Sequence, residues 1–469
     1  MKVLLINPPN NTIINSELPK WLNQTVGVFP PLGLMYIASY MKVNTNYEVR
    51  ILDAFVESMS WEGIKDYIKK FCPGVIGITA YTHSLIDVIS LVENIKKVFP
   101  RVHICLGGIH VKVFPKQAIG IPGVDSVILG EGEVSFTELV SALEKGKSLN
   151  KIKGLVFKSN KKIIFTKSKI NYLNLDDLPF PDRKLINLKK YYHVAGKKLG
   201  LATILSSRGC PYRCSFCCVP DGTYRMRSSK NVVDEMEECV CLGLKEIHFL
   251  DDVFNAVSER VLEICEEITR RNLKVQWSFR GRIDSLNETV IFNLKKTGCI
   301  RINLGVEAAT DEGLKMLSKG ITVEQIKKVF KLTRAAGIET VAYFMLGCPH
   351  ERNKFDVKKT IEFSCDIDPD FALFNILTLY PATQLYRCAV EKGFIEDDCW
   401  NNFVMNPKKT FNPPIWDEYL SREELIKLIK FAYRRFYLRP CVILRNLFKP
   451  FTLEGFKRKF KVMINIIKG

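Results

Sequence analysis

Short apolar runs alternate, along the first 150 residues, with longer stretches whose apolar positions recur every third or fourth residue. Val3–Ile6, Tyr47–Leu52, Val75–Ala80, His103–Leu106 and Ser126–Leu129 have the length and composition of strands. Leu34–Met41 and Ser84–Val98 have helical spacing. Strands separated by helices predict an α/β domain on a doubly wound parallel sheet. Each run stops at structure-breaking or polar residues: Asn7-Pro8-Pro9, Asp53, Thr79-Ala80, Gly107-Gly108 and Gly130-Glu131-Gly132. Ligands of such sheets sit beyond the carboxyl ends of the strands, and glycine there lets a ligand approach the backbone. Residues 1–150 are therefore expected to form one ligand-binding domain.

Residues 151–195 read as a connector, in which Gly154–Phe157 and Ile163–Phe165 can pair as a hairpin and Asp176–Arg183 is proline-rich. From 196 to 400 a second series follows. Its strands are expected at 202–206, 246–250, 275–280, 301–306, 339–345 and 371–377, with helices such as Lys230–Cys241 and Val323–Ala336 between them. Six such units predict a partial (β/α)6 barrel whose site lies at the carboxyl ends of its strands. Residues 401–469 read as a basic helical region. Ser421-Arg-Glu-Glu424 is a capping box, and Leu425, Leu428, Ile429, Ala432 and Phe436 form one apolar face behind it.

Composition narrows the class. A chain of 469 residues exceeds one ordinary domain, and 47% hydrophobic residues supply its cores. No run approaches the roughly 18 apolar residues that cross a bilayer, and the first apolar run is too short for a signal peptide. A cytoplasmic protein is expected, whose 15 cysteines are reduced thiols plus a metal site. The net charge of +19 suits nucleic acid, an anionic membrane, an acidic redox partner or a phosphorylated substrate. About half of it is local, since residues 421–469 hold 13 Lys or Arg against three Glu. A solvated basic helix face explains that tail as well as peripheral membrane contact does.

The sharpest chemical signal is Cys210-Pro-Tyr-Arg-Cys214-Ser-Phe216-Cys217, directly after the strand-like Leu201–Leu205. Three thiolates in C-x3-C-x2-C spacing hold three corners of a 4Fe–4S cubane. Such clusters usually take four cysteines, so one iron stays open to a small molecule. This loop resembles that of the radical S-adenosylmethionine (SAM) enzymes, in which the open iron binds SAM and its cleavage gives a 5′-deoxyadenosyl radical. The whole chain is similar to the cobalamin-binding branch of that family. Ile6-Asn7-Pro8-Pro9, Pro30-Pro-Leu-Gly33, Gly107-Gly108-Ile-His110 and Gly130-Glu131-Gly132-Glu133 match the branch's corrinoid domain in order. The resemblance implies cobalamin contacts at Pro8, Pro9, Thr79, Gly107, Gly108, Gly130 and Glu131. The D-x-H-x-x-G motif of His-ligated corrinoids is absent, so His83 and His110 are expected to be ordinary polar neighbours rather than cobalt ligands.

In the barrel half, the resemblance assigns the SAM site to Phe216, Asp251, Asp252, Arg282 and Glu307. Leu250-Asp251-Asp252 stands where the family contacts the SAM amino group. In Arg280-Gly-Arg282-Ile-Asp284, Arg282 would pair with the SAM carboxylate. In Gly305-Val-Glu307-Ala308, Glu307 would meet the ribose or sulfonium, with Ala308 replacing the usual Ser. Tyr224–Ser228, Leu317–Gly320 and Phe344–Glu351 match further strand ends. Cys218 and Cys348 read as structural thiols.

The implied function is a cobalamin-dependent radical SAM enzyme acting at an unactivated carbon, by methyl transfer to a hydrophobic, lipid-like or other small molecule. Cyclisation or rearrangement of a lipid or tetrapyrrole is the alternative. A low-potential donor such as ferredoxin or flavodoxin would supply the electron. Nucleic acid is disfavoured as a partner: the RNA methylthiotransferases need three further N-terminal cysteines, and residues 1–150 hold only Cys72 and Cys105. A non-catalytic corrinoid carrier would not need the SAM motifs.

Overall fold

The computed structural model describes residues 1–12, 14, 27–160, 162–167, 172–192, 200–218, 223–244 and 246–447. The basic stretch carrying Lys457, Arg458, Lys459 and Lys461 lies outside them. The chain divides into two compact units, Met1–Asn15 with Pro30–Tyr191 and Asp398–Asn412, and Ser16–Phe29 with Tyr192–Asp397 and Pro413–Gly469.

The first unit is built on seven strands: β1 (Lys2–Asn7), β2 (Glu48–Asp53), β3 (Val75–Thr79), β4 (His103–Gly107), β5 (Ser126–Ile128), β6 (Leu155–Ser159) and β7 (Lys162–Phe165), in the order β2-β1-β3-β4-β5-β6-β7. The first five run parallel. Val3, Leu4, Leu5 and Ile6 are all buried, so β1 is covered on both faces. That is why it reads as a continuous apolar run rather than an alternating one. The chain leaves β1 for β2 on one side and returns to β3 on the other, which opens a crevice between β1 and β3 at their carboxyl ends. The hairpin expected between 150 and 195 forms, and β6 pairs antiparallel with β5, so it extends this sheet.

In the second unit, β8 (Ala202–Ile204), β11 (Glu246–Phe249), β12 (Gln276–Gly281), β13 (Cys299–Glu307), β14 (Glu339–Leu346) and β15 (Phe371–Ile376) form one parallel sheet ordered β15-β14-β13-β12-β11-β8. A two-residue ladder between β9 (Ser207–Arg208) and β10 (Arg225–Met226) brackets the cysteine loop. One face of the large sheet is apolar: Ile247, Phe249, Trp277, Phe279, Ile302, Leu304, Ala342, Phe344 and Phe374 are buried. Phe374 meets Tyr433 and Phe436 of the helix Arg422–Tyr437 edge-on. That helix starts at the expected capping box, Ser421 with Glu424. The opposite face carries Thr203, His248, Ser278, Arg301, Asn303 and Tyr343, a polar lining that folding alone does not require.

Edge strand β15 does not end the sheet bare. The hydroxyls of Tyr433 and Tyr437 accept from the Phe374 and Ala372 amides and donate back to the same residues' carbonyls. Two tyrosines thus satisfy the edge that an open barrel would otherwise leave unpaired.

Candidate active site

The cysteine loop leaves β9 through Gly209, whose φ is +82°. A Cβ there would stand 2.1 Å from the Thr223 carbonyl oxygen, so only glycine permits the turn. The loop is tied down by backbone bonds. The Cys217 amide donates to the Cys214 carbonyl at 3.0 Å, and Ser215 donates to Leu317 and accepts from Leu385, each at 3.0 Å. The Ser215 hydroxyl reaches the Met316 carbonyl at 3.1 Å. Ser215 is buried, Cys210 and Cys214 are half-buried, and Cys217 is exposed. None of the three thiols is in a disulfide. Burial pushes the Cys210 thiol up, the Tyr212 amide pulls it down, and the charges of Asp252 and Cys214 push it up again. Cys210 and Cys214 therefore sense one another across a common space. Among the described residues no three His, Cys, Asp or Glu side chains converge on a point fit for a single metal ion. Three separated thiols around an open loop suit a larger, cationic cluster, whose positive charge relieves their mutual repulsion.

Arg282 is already engaged within the protein. Its guanidinium is buried against the loop, 3.7 Å from the centre of the Tyr212 ring and 3.8 Å from Cys214 Sγ. It donates to both Asp284 oxygens at 2.9 to 3.2 Å and to the Lys319 carbonyl. Burial would lower its pKa, but Asp284 and the Cys214 thiol more than offset that. Its hydrogen bonds are thus directed at holding the loop, with its charge facing the Cys214 thiol. Asn255, fully buried, clamps the Arg282 backbone from both sides, accepting from its amide and donating to its carbonyl at 2.8 Å.

Asp251, expected to meet the SAM amino group, is fully buried and turned inward. It accepts from the Ser206 amide and from the Ser206 and Ser207 hydroxyls at 2.5 to 2.8 Å. It anchors the corner that carries the cysteine loop, and both its oxygens are engaged. Asp252 is the exposed one of the pair. Surrounding protein raises its carboxyl, while Arg280 and the Gly209 amide pull it down. Arg227, Glu235, Arg260 and Asn231 complete the support beneath this corner, with Arg260 donating to the Ser206 and Arg227 carbonyls.

Glu307 ends β13 at a register shift with φ +67°, a left-handed conformation that non-glycine residues adopt at a cost. Its carboxylate pairs with Lys319 at 2.8 Å in a buried bridge. Lys319 in turn lies 5.9 Å from the Phe216 ring in the cysteine loop. A Cβ on Gly305 would fall 2.2 Å from the Glu307 oxygen, so the small residue of the motif makes room for the bridge. Composition and motif spacing singled out Lys319-Gly320 but not this pairing, which depends on how β13 and the helix Asp311–Met316 meet.

In the first unit the residues assigned to cobalamin gather at strand ends: Pro8 and Pro9 after β1, Thr79 ending β3, Gly107 ending β4 with Gly108 beyond, and Gly130 and Glu131 after β5. Gly108 has φ +101°, and a Cβ on it would meet the Ala80 carbonyl at 2.8 Å. Gly107 faces open space. This cradle of small residues fits a bulky ligand pressed against backbone. His110 is fully buried with both ring nitrogens engaged, Nδ1 with Thr82 at 3.1 Å and Nε2 with Gln117 at 2.7 Å. Burial lowers its pKa to about 4, so it is a neutral structural histidine. Asp53, at the end of β2, accepts from Asn7 and from the Tyr191 hydroxyl at 2.8 Å.

Comparison with known proteins agrees with both halves. A B12 binding domain model matches residues 22–140, and a radical SAM superfamily model matches residues 204–363. An uncharacterized methyltransferase of Pyrococcus horikoshii is 33% identical over 454 residues, covering 96% of this chain and 95% of the relative. The anaerobic magnesium-protoporphyrin IX monomethyl ester cyclase of Rubrivivax gelatinosus is 28% identical over 486 residues, covering 98% of this chain and 84% of the relative. Among solved structures, the cobalamin-dependent SAM radical enzyme OxsB, with aqua-cobalamin and SAM bound, superposes with a TM-score of 0.74 at 16% identity, covering 98% of this chain and 70% of that one. With its thiol loop, polar barrel lining and glycine cradle, the chain belongs to the cobalamin-binding radical SAM family, enzymes whose cofactors are a 4Fe–4S cluster, SAM and cobalamin.

Proposed function

We propose that this chain transfers a methyl group to an unactivated carbon of a hydrophobic small molecule. One observation carries the reading: a three-thiol loop at the mouth of a polar-lined barrel shares a chain with a corrinoid-type cradle, and a methyltransferase-named relative aligns over nearly its whole length. When bound, the cluster supplies the electron that cleaves SAM and the corrinoid carries the methyl group. The protein's own part is placement. Cys210, Cys214 and Cys217 hold three corners of the cluster, and Arg282 neutralises thiolate charge at Cys214. Asp252, exposed beside Gly209, offers an acceptor to the SAM ammonium. Glu307, held by Lys319, offers a fixed carboxylate to the ribose or sulfonium. Pro8, Pro9, Thr79, Gly107, Gly108, Gly130 and Glu131 form the corrinoid contacts. A ferredoxin or flavodoxin is proposed as electron donor, since such acidic partners suit a chain of net charge +19.

Incubating reconstituted protein with cobalamin, a reductant, trideuteromethyl-SAM and a small-molecule extract of the source cells tests this. The reading expects a product carrying the deuterated methyl. The cyclase relative favours one second reading, radical cyclisation. Formation of 5′-deoxyadenosine with a product that carries no label would support it and defeat methyl transfer.

A further inference from the structure

Arg280, Arg282 and Arg301 lie on β12 and β13 or just beyond β12, and the chain accounts for two of them. Arg282 is spent on Asp284 and the Lys319 carbonyl. Arg301, fully buried, pairs with Glu339 at 2.7 Å and faces Glu246 at 4.0 Å. Arg280, at the carboxyl end of β12, is exposed; its backbone carbonyl accepts from the Phe254 amide, but its guanidinium has no hydrogen bond or ion pair among the described residues. Its guanidinium lies 6.0 Å from the Phe29 ring, and Asp252 acts on it only through space. Directly across from it in register, on β13, is Asn303. Asn303 is only 2% exposed, yet its Oδ1 has no partner. An acceptor left unmet in that position has lost its hydration without a replacement bond, and folding gives no reason for it. Two residues further along β13, Gly305 pairs with Tyr343, which pairs with Leu373 of β15. Burial raises the Tyr343 phenol, Arg280 and Arg301 act to lower it and Glu307 to raise it, and Glu307 is itself paired with Lys319, so the hydroxyl lies within reach of two cations and one neutralised carboxylate.

We propose that Arg280, Asn303 and Tyr343 form the substrate-recognition site, and that the substrate is an organic acid with an apolar body and an N–H or O–H donor beside the acid group. The acid oxygens face Arg280 and the Tyr343 hydroxyl. The neighbouring donor meets Asn303 Oδ1. Leu373 and the Phe29 ring cover the apolar body. A guanidinium takes a carboxylate through two parallel hydrogen bonds, which neutral groups cannot reproduce, and a site built on unmet polar atoms rejects ligands that fail to meet them. The inference names the substrate class of the proposed methyl transfer and rests on that reading. SAM also carries a carboxylate and an amine, so the experiment must separate the two sources.

Full-length protein reconstituted with cluster and cobalamin, and saturated with SAM, is titrated with 2-hydroxyoctanoate, octanoate and 2-hydroxyoctanamide, read by equilibrium dialysis. The expected order puts 2-hydroxyoctanoate at least tenfold tighter than either of the others. Arg280→Gln removes the preference for acid over amide, and Arg280→Lys retains part of it. Asn303→Leu removes the preference for 2-hydroxyoctanoate over octanoate. Equal binding of acid and amide, or no binding of the acid, overturns the proposal. So does competition between 2-hydroxyoctanoate and SAM with a parallel loss of SAM affinity in Arg280→Gln, which would assign the cation to SAM's own carboxylate. Dialysis reads binding and not turnover, so a failure here leaves methyl transfer standing, and an unlabelled product leaves the binding result standing.

Discussion

At the scale of single residues, the active-site loop depends on two residues outside its cysteine spacing, Gly209 and Lys319. Gly209→Ala would drive a Cβ into the Thr223 carbonyl at a positive φ. It should yield folded protein with less than half of the wild-type iron after reconstitution, measured by iron assay and absorbance. Lys319→Met would strand Glu307 as a buried, unpaired charge, a loss of roughly 3–5 kcal/mol visible in denaturant unfolding of the second unit. Glu351 gives a pH signature. Burial raises its carboxyl from an ordinary value near 4.5 to about 7, although Thr360 and the Cys348 and Gly347 amides all donate to it. The folded state then holds a proton that the unfolded chain releases above about 4.5. Stability should therefore fall by up to about 3 kcal/mol as pH rises from 4.5 to 7 and level off above. In Glu351→Gln that part of the slope should vanish, as read from unfolding midpoints across the same pH range. The cysteines were legible because three thiols in one short loop have few other uses. The inward turn of Asp251 and the engagement of Arg282 by Asp284 were not, because motif spacing carries no information on rotamers or on partners distant in sequence.

At the scale of elements, every barrel strand expected from the sequence is present within a few residues of its expected bounds, and so are the five parallel strands of the first unit. Continuous apolar runs bounded by Gly, Pro and Asp are a strong signal when a parallel strand is buried on both faces. Two pairings escaped. The ladder between β9 and β10 is only two residues long, and nothing in an apolar pattern marks so short an element. The attachment of β6 to β5 depends on which edge a hairpin meets. The tyrosine seal on β15 was equally silent, since the apolar face read from the sequence, Leu425, Leu428, Ile429, Ala432 and Phe436, does not include Tyr433 or Tyr437. It has a measurable consequence. Tyr433→Phe and Tyr437→Phe should each cost about 1–2 kcal/mol of stability, more together than either alone, followed by thermal unfolding and by faster amide exchange at Ala372 and Phe374.

At the scale of the whole molecule, the order of the two cofactor-binding halves was legible, because motifs at strand ends recur in the same order along the chain as in the family. The return of residues 398–412 to the first unit was not, since no pattern along the chain marks which unit a segment so distant in sequence joins. No helix among the described residues is long and apolar enough to cross a membrane. The inner barrel face shows what the fold is for: folding would favour apolar residues where the buried Asn303 and His248 stand. Cys210, Cys214 and Cys217 are proposed to hold a cluster with one iron open to SAM. Anaerobically reconstituted, reduced protein should give a 4Fe–4S electron paramagnetic resonance signal that changes on adding SAM, and Cys214→Ala should give none. A wild-type signal unaltered by saturating SAM, or wild-type protein that binds no iron, would contradict it.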